Sequence, residues 1–384
     1  MKKKLKSTLV SLIKFSGAVN RSLRFNSYLD GIIILKIDAI GDYILVRNFF
    51  AELKKSPKFA NHKITLVGNS LWKEIALQFD INVIDEFIWL DKKKKEKNKW
   101  YLINFLINLS KRRFEYAIYP AYSRDHKLGD FLMGTISAKN KITFTGDLNN
   151  MSFSEKLQGD KFYNRLITIP EDIVFEYLRN KCFFSQLLDK ELTTKFEIIP
   201  IATNQGVIAQ NRIIFFVGAG VLYRKWHKNK FIELAQKIYA RYKTEILICG
   251  GMDDFLNWKT LNWSDYPYLI NLLGQTTLVE LIDMLSRAKF VVSNETSVAH
   301  MAVAVNTPVF VISNGNHFGR FTPYPKEVTQ SYYVTYPAEI INELNKNNSD
   351  EVIKKFEIRS ELNINLVEVN QLEEMINKEI ENAN

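Results

Sequence analysis

Two strand-to-helix junctions, about half a chain apart, carry the side chains best suited to chemistry. In the first, the apolar run Ile32-Ile33-Ile34-Leu35 leads through Lys36-Ile37-Asp38-Ala39-Ile40 to Gly41-Asp42 and then a helical pattern. In the second, Phe290-Val291-Val292-Ser293 leads to Asn294-Glu295-Thr296-Ser297-Val298-Ala299-His300. Each delivers a carboxylate to the end of a buried strand, where open α/β sheets bind ligands. Gly41 permits a tight turn and close approach. Asp42 is then either a helix cap or a carboxylate aimed at a ligand. In the second block Thr296 or Ser297 can cap the next helix, leaving N–H groups that point at an anion. His300 falls in the first turn or so of that helix, where an ordinary packed residue is the plainer reading.

A third cluster is the loop Gly218-Ala219-Gly220, followed by Arg224-Lys225-Trp226. Gly218 and Gly220 allow a phosphate to come close after a buried strand. Arg224 offers a planar fork for phosphate oxygens and Lys225 a point charge. No His, Cys and carboxylate set has metal-ligand spacing, and no serine nucleophile elbow is present. The first loop has one glycine rather than three, which disfavours a dinucleotide-binding dehydrogenase.

The elements that must hold these groups alternate. Strands are expected over 32–37, 63–67, 83–89, 116–119 and 141–144, with helices over 43–55, 71–79, 100–111 and 126–136. After a helix-rich stretch (172–188) and a linker (191–210), the scheme restarts with a strand over 213–217 and a helix over 230–242. Strands over 245–249, 269–273, 290–293 and 309–312 follow, with helices over 278–287 and 297–305. Past Gly319 the pattern weakens until a helix over 369–382. Such alternation means βα units around parallel sheets. The fold class is α/β, with two doubly wound Rossmann-like domains facing across a cleft. Their expected bounds are 26–190 and 211–365, flanked by a basic amphipathic segment (1–25) and a C-terminal helix (366–384).

The length, 384 residues, favours two domains over one core. Lys and Arg total 52 against 42 Asp and Glu, a net charge of +10. An anionic partner follows: nucleotide, phosphorylated glycan or anionic membrane. Nucleic acid is disfavoured, since the lysines are scattered and no binding motif appears. Cys182 and Cys249 match no redox or metal spacing and read as reduced thiols of a cytoplasmic protein. No window reaches the ~18 apolar residues of a membrane span. Lys2, Lys3, Lys4 and Lys6 beside Leu5, Leu9, Leu12, Ile13 and Phe15 suggest a helix in the headgroup region or one packed on the domain. Lys14 interrupts the apolar run a signal peptide needs. The run Lys92-Lys93-Lys94-Lys95-Glu96-Lys97 is a contact for an acidic acceptor or membrane, or, more plainly, a solvated loop.

These residues resemble glycosyltransferase family nine, the heptosyltransferase-like enzymes of GT-B architecture, over most of 31–315. The resemblance rests on Ile34-Leu35-Lys36 through Gly41-Asp42, on Gly218-Ala219-Gly220 with Arg224-Lys225-Trp226, on Leu273-Gly274-Gln275-Thr276-Thr277-Leu278, and on Asn294–His300 continuing to Thr307-Pro308. It implies inverting, metal-independent transfer of a sugar from a nucleotide diphosphate donor, ADP-linked, to a lipopolysaccharide or other surface-glycan acceptor, at the cytoplasmic face of an inner membrane. It makes Asp42 the general base and Arg224 or Lys225 the contact to donor phosphate. It puts Thr276 by the nucleotide, Glu295 on the donor sugar, and the helix start at Thr296 and Ser297 on phosphate. No cofactor is implied beyond the nucleotide sugar itself. Glu295 stands where the family usually has Asp, which leaves the sugar open. Lys36 and Gly41 are possible further contacts. So are His317 and Arg320, in an aromatic loop unlike the family's usual one. A nucleotide-sugar epimerase of the same architecture and a non-catalytic sugar-nucleotide-binding protein are the alternatives.

Overall fold

The computed structural model describes residues 31–382. The basic segment expected over 1–25 lies outside them. The chain divides into two compact units. One runs to Ile173 and includes Tyr177–Thr194; the other holds Val174–Glu176 and everything from Lys195.

The first unit is built on a six-stranded parallel sheet in the order β3-β2-β1-β4-β5-β6. Its strands are β1 (Ile32–Lys36), β2 (Ile64–Asn69), β3 (Glu86–Leu90), β4 (Arg113–Tyr119), β5 (Ser137–Phe144) and β6 (Arg165–Ile167). β1 is buried along its whole length, as a central strand covered on both faces must be. Ile33, Leu35, Val67, Phe114, Ala117 and Tyr119 pack with Leu106, Leu109 and Leu132 on one face.

The second unit repeats the layout in the order β12-β11-β10-β7-β8-β9. Its strands are β7 (Ile213–Phe216), β8 (Ile246–Cys249), β9 (Leu269–Asn271), β10 (Phe290–Asn294), β11 (Val309–Ile312) and β12 (Tyr332–Thr335). In chain order each sheet reads third-second-first-fourth-fifth-sixth, the doubly wound arrangement. The order therefore reverses between β1 and β4 in one unit and between β7 and β10 in the other. Ligands of open α/β sheets bind outside the strand C-termini at such points.

Several elements differ from expectation. β6 and β12 are short edge strands without an apolar run to announce them. The helix expected over 43–55 is broken by a turn at Leu45–Arg47, giving helices Ile40–Ile44 and Asn48–Lys55. The stretch expected as linker packs on the second unit, where Asp283 accepts hydrogen bonds from the Thr203 N–H (2.5 Å) and hydroxyl (2.9 Å). The terminal helix Val369–Asn382 places Leu372, Ile376 and Ile380 in the second unit's core with Phe231, Leu234 and Ile238. Among the described residues no helix is long and apolar enough to cross a membrane. Both cysteines are free thiols, and burial pushes Cys249 up to about 12.

Candidate active site

In the first unit, β1 ends at Lys36 and the helix Ile40–Ile44 begins just beyond it. Ala39 is its N-cap residue and makes no side-chain capping bond. Asp42 is thus the third helical residue, half-buried, and not the cap. A carboxylate there sits favourably in the first turn of the helix dipole. The next residue, Tyr43, is firmly anchored. The Tyr43 ring stacks on Trp72, with centroids 3.8 Å apart, and its hydroxyl donates to Asp80 at 2.5 Å. Arg47 binds the same carboxylate through Nε (3.0 Å) and Nη2 (2.7 Å). Burial pushes the Tyr43 phenol well above its usual range, with the Asp80 charge adding to the effect. Trp72 Nε1 in turn donates to the Asp38 carbonyl at 3.2 Å, tying the end of β2 to the loop before Asp42.

Lys36, a possible further contact, lies inside the first unit. It is 1% exposed, its ammonium lies 3.0 Å from the Asp38 carboxylate, and it donates to the Pro120 carbonyl at 3.0 Å. A buried ammonium must be paired, so Lys36 spans the β1–β4 switch point and holds the loop beneath Asp42. Gly41 is half-buried beside it.

In the second unit, Asn294 organises the glycine loop. Its amide donates to the carbonyls of Val217 (3.0 Å) and Gly218 (3.2 Å), and its oxygen accepts from the Trp226 N–H (3.0 Å). One buried side chain at the end of β10 therefore pins both ends of the loop that follows β7. Trp226 is core, with its indole N–H on the Val367 carbonyl at 3.0 Å.

The two loop cations are not equivalent. Lys225, expected as a donor contact, pairs here with the buried Asp254 carboxylate at 2.5 Å. Asp254 also accepts from the Gly251 N–H at 2.9 Å, closing the first turn of helix Met252–Trp258. This explains Gly218 as well: a Cβ there would come within 2.6 Å of the Asp254 carboxylate. The close approach that Gly218 permits is by Asp254, whereas the space around Gly220 is open to 4 Å. Arg224 is half-buried, and its Nε is buried without a hydrogen-bond partner among the described residues.

Around Arg224 stand Glu295, His300 and His317, each within its electrostatic reach. Glu295 is buried, with its carboxylate accepting from the Ser313 hydroxyl. Burial raises its pKa, while Arg224 and Ser313 act the other way. His300 Nδ1 lies 2.7 Å from the Tyr324 hydroxyl. Burial and the Arg224 charge push it down to about 4, so it is neutral near pH 7. His317 is also held at about 4, first by burial and then by Arg224. Its Nδ1–H donates to the Glu357 carbonyl at 3.1 Å, which leaves Nε2 as an acceptor.

Thr296 is the N-cap of helix Ser297–Ala304; its hydroxyl accepts from the Val298 N–H at 3.3 Å. The half-buried start of this helix adjoins Glu295. Thr276 is half-buried, just before Thr277, the N-cap of helix Leu278–Arg287. Arg320, a possible further contact, is buried and ion-paired with Glu176 at 3.0 Å.

Sequence reasoning assigned no individual role to Asn294, Asp254, Ser313 or Asp38. Asp254 carried a legible signal, an acidic residue three positions after a glycine that can start a helix. Asn294 and Ser313 carried none, because each acts through a partner far along the chain. Among the described residues no group of three or more His, Cys, Asp or Glu side chains could hold a metal ion.

Residues 178–348 match the sequence model of glycosyltransferase family 9 (heptosyltransferase). The Escherichia coli heptosyltransferase WaaC with ADP-2-deoxy-2-fluoro heptose shares the fold at a TM-score of 0.66 and 16% identity, covering 91% of this chain and 99% of that one. A family 9 glycosyl transferase from Veillonella parvula DSM 2008 gives a TM-score of 0.65 at 16% identity, over 93% and 99% of the two chains. E. coli ADP-heptose lps heptosyltransferase II gives 0.63 at 14% identity, over 92% and 99%. No curated protein sequence matches. The chain thus shares the GT-B fold of these solved structures, and over residues 178–348 its sequence is similar to glycosyltransferase family 9 (heptosyltransferase).

Proposed function

We propose that this protein transfers a sugar, heptose or a related one, from an ADP-linked donor to a glycan or glycolipid acceptor, with inversion and without a metal. The carrying observation is the meeting of Arg224, Glu295 and the N-terminus of helix Ser297–Ala304 at the β7–β10 switch point. Arg224 and the helix start supply positive potential where a diphosphate leaving group develops charge, a role that electrostatic preorganisation can fill. Glu295, desolvated and held by Ser313, is suited to hydrogen bonds from sugar hydroxyls. Asp42 takes the proton from the attacking acceptor hydroxyl. The family match and the solved heptosyltransferases support this reading, and the substitution of Glu for the family's usual Asp points to a sugar of altered shape.

A thermal-shift panel of nucleoside diphosphates and their sugars tests the donor. The matching ligand at about 100 times its dissociation constant stabilises by about 2.7 kcal/mol. ADP compounds are expected to lead. Indifference to every nucleoside diphosphate sinks the proposal, and donor isomerisation without any acceptor replaces it with epimerase chemistry.

A further inference from the structure

The lysine run is not a loose loop. Residues Lys92–Lys97 form a short helix capped by Asp91, whose carboxylate accepts from the Lys94 N–H at 2.9 Å. A second helix, Lys99–Ser110, starts at once, with Asn98 capping Trp100 and Tyr101 at 2.9 and 3.3 Å. The Tyr101 hydroxyl ties this elbow to the end of β3. It accepts from the Asp91 N–H at 2.8 Å and donates to the Trp89 carbonyl at 3.2 Å. The elbow is therefore a fixed platform.

What it displays is a dense run of cations. Lys54, Lys225, Lys230 and Lys237 each pair with a carboxylate. Lys92, Lys93, Lys94, Lys95, Lys97 and Lys99 have no ion-pair partner among the described residues, and Glu96 is the one acidic residue among them. Beside them the Trp100 side chain stands 71% exposed. An unneutralised lysine cluster with an exposed indole is the combination that settles at an anionic bilayer surface. Lysines gain from the negative surface potential, and indoles prefer the headgroup level. A merely solvated charge run has no use for an exposed Trp. The elbow also stands at the strand C-termini, on the rim that carries Asp42. β3 pairs with β2 and β2 with β1, which puts the two strand ends about 10 Å apart.

We infer that the elbow formed by Lys92–Lys99 and Trp100 docks the first unit on an anionic membrane, bringing the Asp42 rim to the surface where a glycolipid acceptor resides. This extends the glycolipid reading above, yet its test needs neither donor nor acceptor, so the two can fail separately.

The full chain is mixed with vesicles of phosphatidylglycerol and phosphatidylcholine, and with phosphatidylcholine alone. Binding is expected to the first, to weaken with salt, and to be absent from the second. Each lysine near such a surface contributes about fivefold. The quadruple variant K93Q/K94Q/K97Q/K99Q should lose partition by about 600-fold at low salt. It should keep its melting temperature, since these side chains bond to nothing among the described residues. Brominated lipid should quench Trp100 emission, read as the difference between the parent and W100F. Partition unchanged in the fourfold variant, or Trp100 unquenched, overturns the inference. So does vesicle binding lost only when Lys2, Lys3, Lys4 and Lys6 are replaced by Gln. Capture of a soluble polyanion without vesicle binding also overturns it, in favour of an acidic acceptor glycan.

Discussion

Lys225 and Asp254 form an ion pair with 2.5 Å between ammonium and carboxylate, and this pair divides the labour of the glycine loop. The lysine is engaged with the helix that follows β8, and the neighbouring Arg224, whose Nε has no hydrogen-bond partner among the described residues, is the cation we propose for the diphosphate.

Arg224→Gln is therefore expected to weaken nucleoside diphosphate binding by on the order of 10- to 100-fold while sparing the nucleoside. Lys225→Met instead leaves Asp254 buried and unpaired, and should cost about 2 kcal/mol of stability. Calorimetric titration and denaturant unfolding of both variants check the division. Equal losses of diphosphate affinity in the two would return Lys225 to the ligand.

Asp42 lies in the first turn of its helix, not at the cap, so Asp42→Asn leaves the capping of that helix untouched. As general base it should contribute on the order of 10²–10⁴ in rate. The Asn variant is expected to keep donor affinity, to lose no more than about 1 kcal/mol of stability, and to lose turnover by that factor. Transfer at the parent rate in a folded variant would remove Asp42 from the mechanism.

Asn294 satisfies three backbone groups of the glycine loop. Asn294→Ala strands them in a buried setting and should cost about 3 kcal/mol. Because Arg224 rides on that loop, diphosphate affinity should fall as well, although Asn294 itself need touch no ligand. A variant that is destabilised yet binds the diphosphate normally would show that the loop's ligand contacts do not depend on the clamp.

His300 gives the second unit a pH response. Its folded pKa of about 4 lies below the ordinary 6.5. Between those values the unfolded chain takes up a proton that the folded chain refuses, so stability falls as pH drops through the window. His317 acts in the same direction. Glu295 opposes them, since its raised pKa lets the folded state take a proton first on acidification. Each pKa unit is worth about 1.4 kcal/mol. Acidification from about pH 7 to about pH 5 should therefore cost His300→Gln about 2 kcal/mol less stability than it costs the parent. An identical pH slope would mean that His300 is charged in the folded protein.

The chain's sequence by itself determined both sheets' central strands, because Ile32–Leu35, Ile213–Phe215 and Phe290–Val292 are apolar runs that only a doubly covered strand can bury. It also determined the two junctions, since Gly41-Asp42 and Glu295-Thr296-Ser297 are adjacent in the chain and their chemistry is local. Tertiary structure decided which charges remain for a ligand. Lys225 meets Asp254 across 29 positions, Arg320 meets Glu176 across 144, and Lys36 turns inward to Pro120 across 84. The lysine run looked like a loop because nothing local distinguishes a solvated run from a platform. Tyr101, reaching back across 10 positions to Asp91, makes that distinction. A burial pattern is written residue by residue, but an ion pair requires two distant residues to be brought together, and only the packed sheets do that.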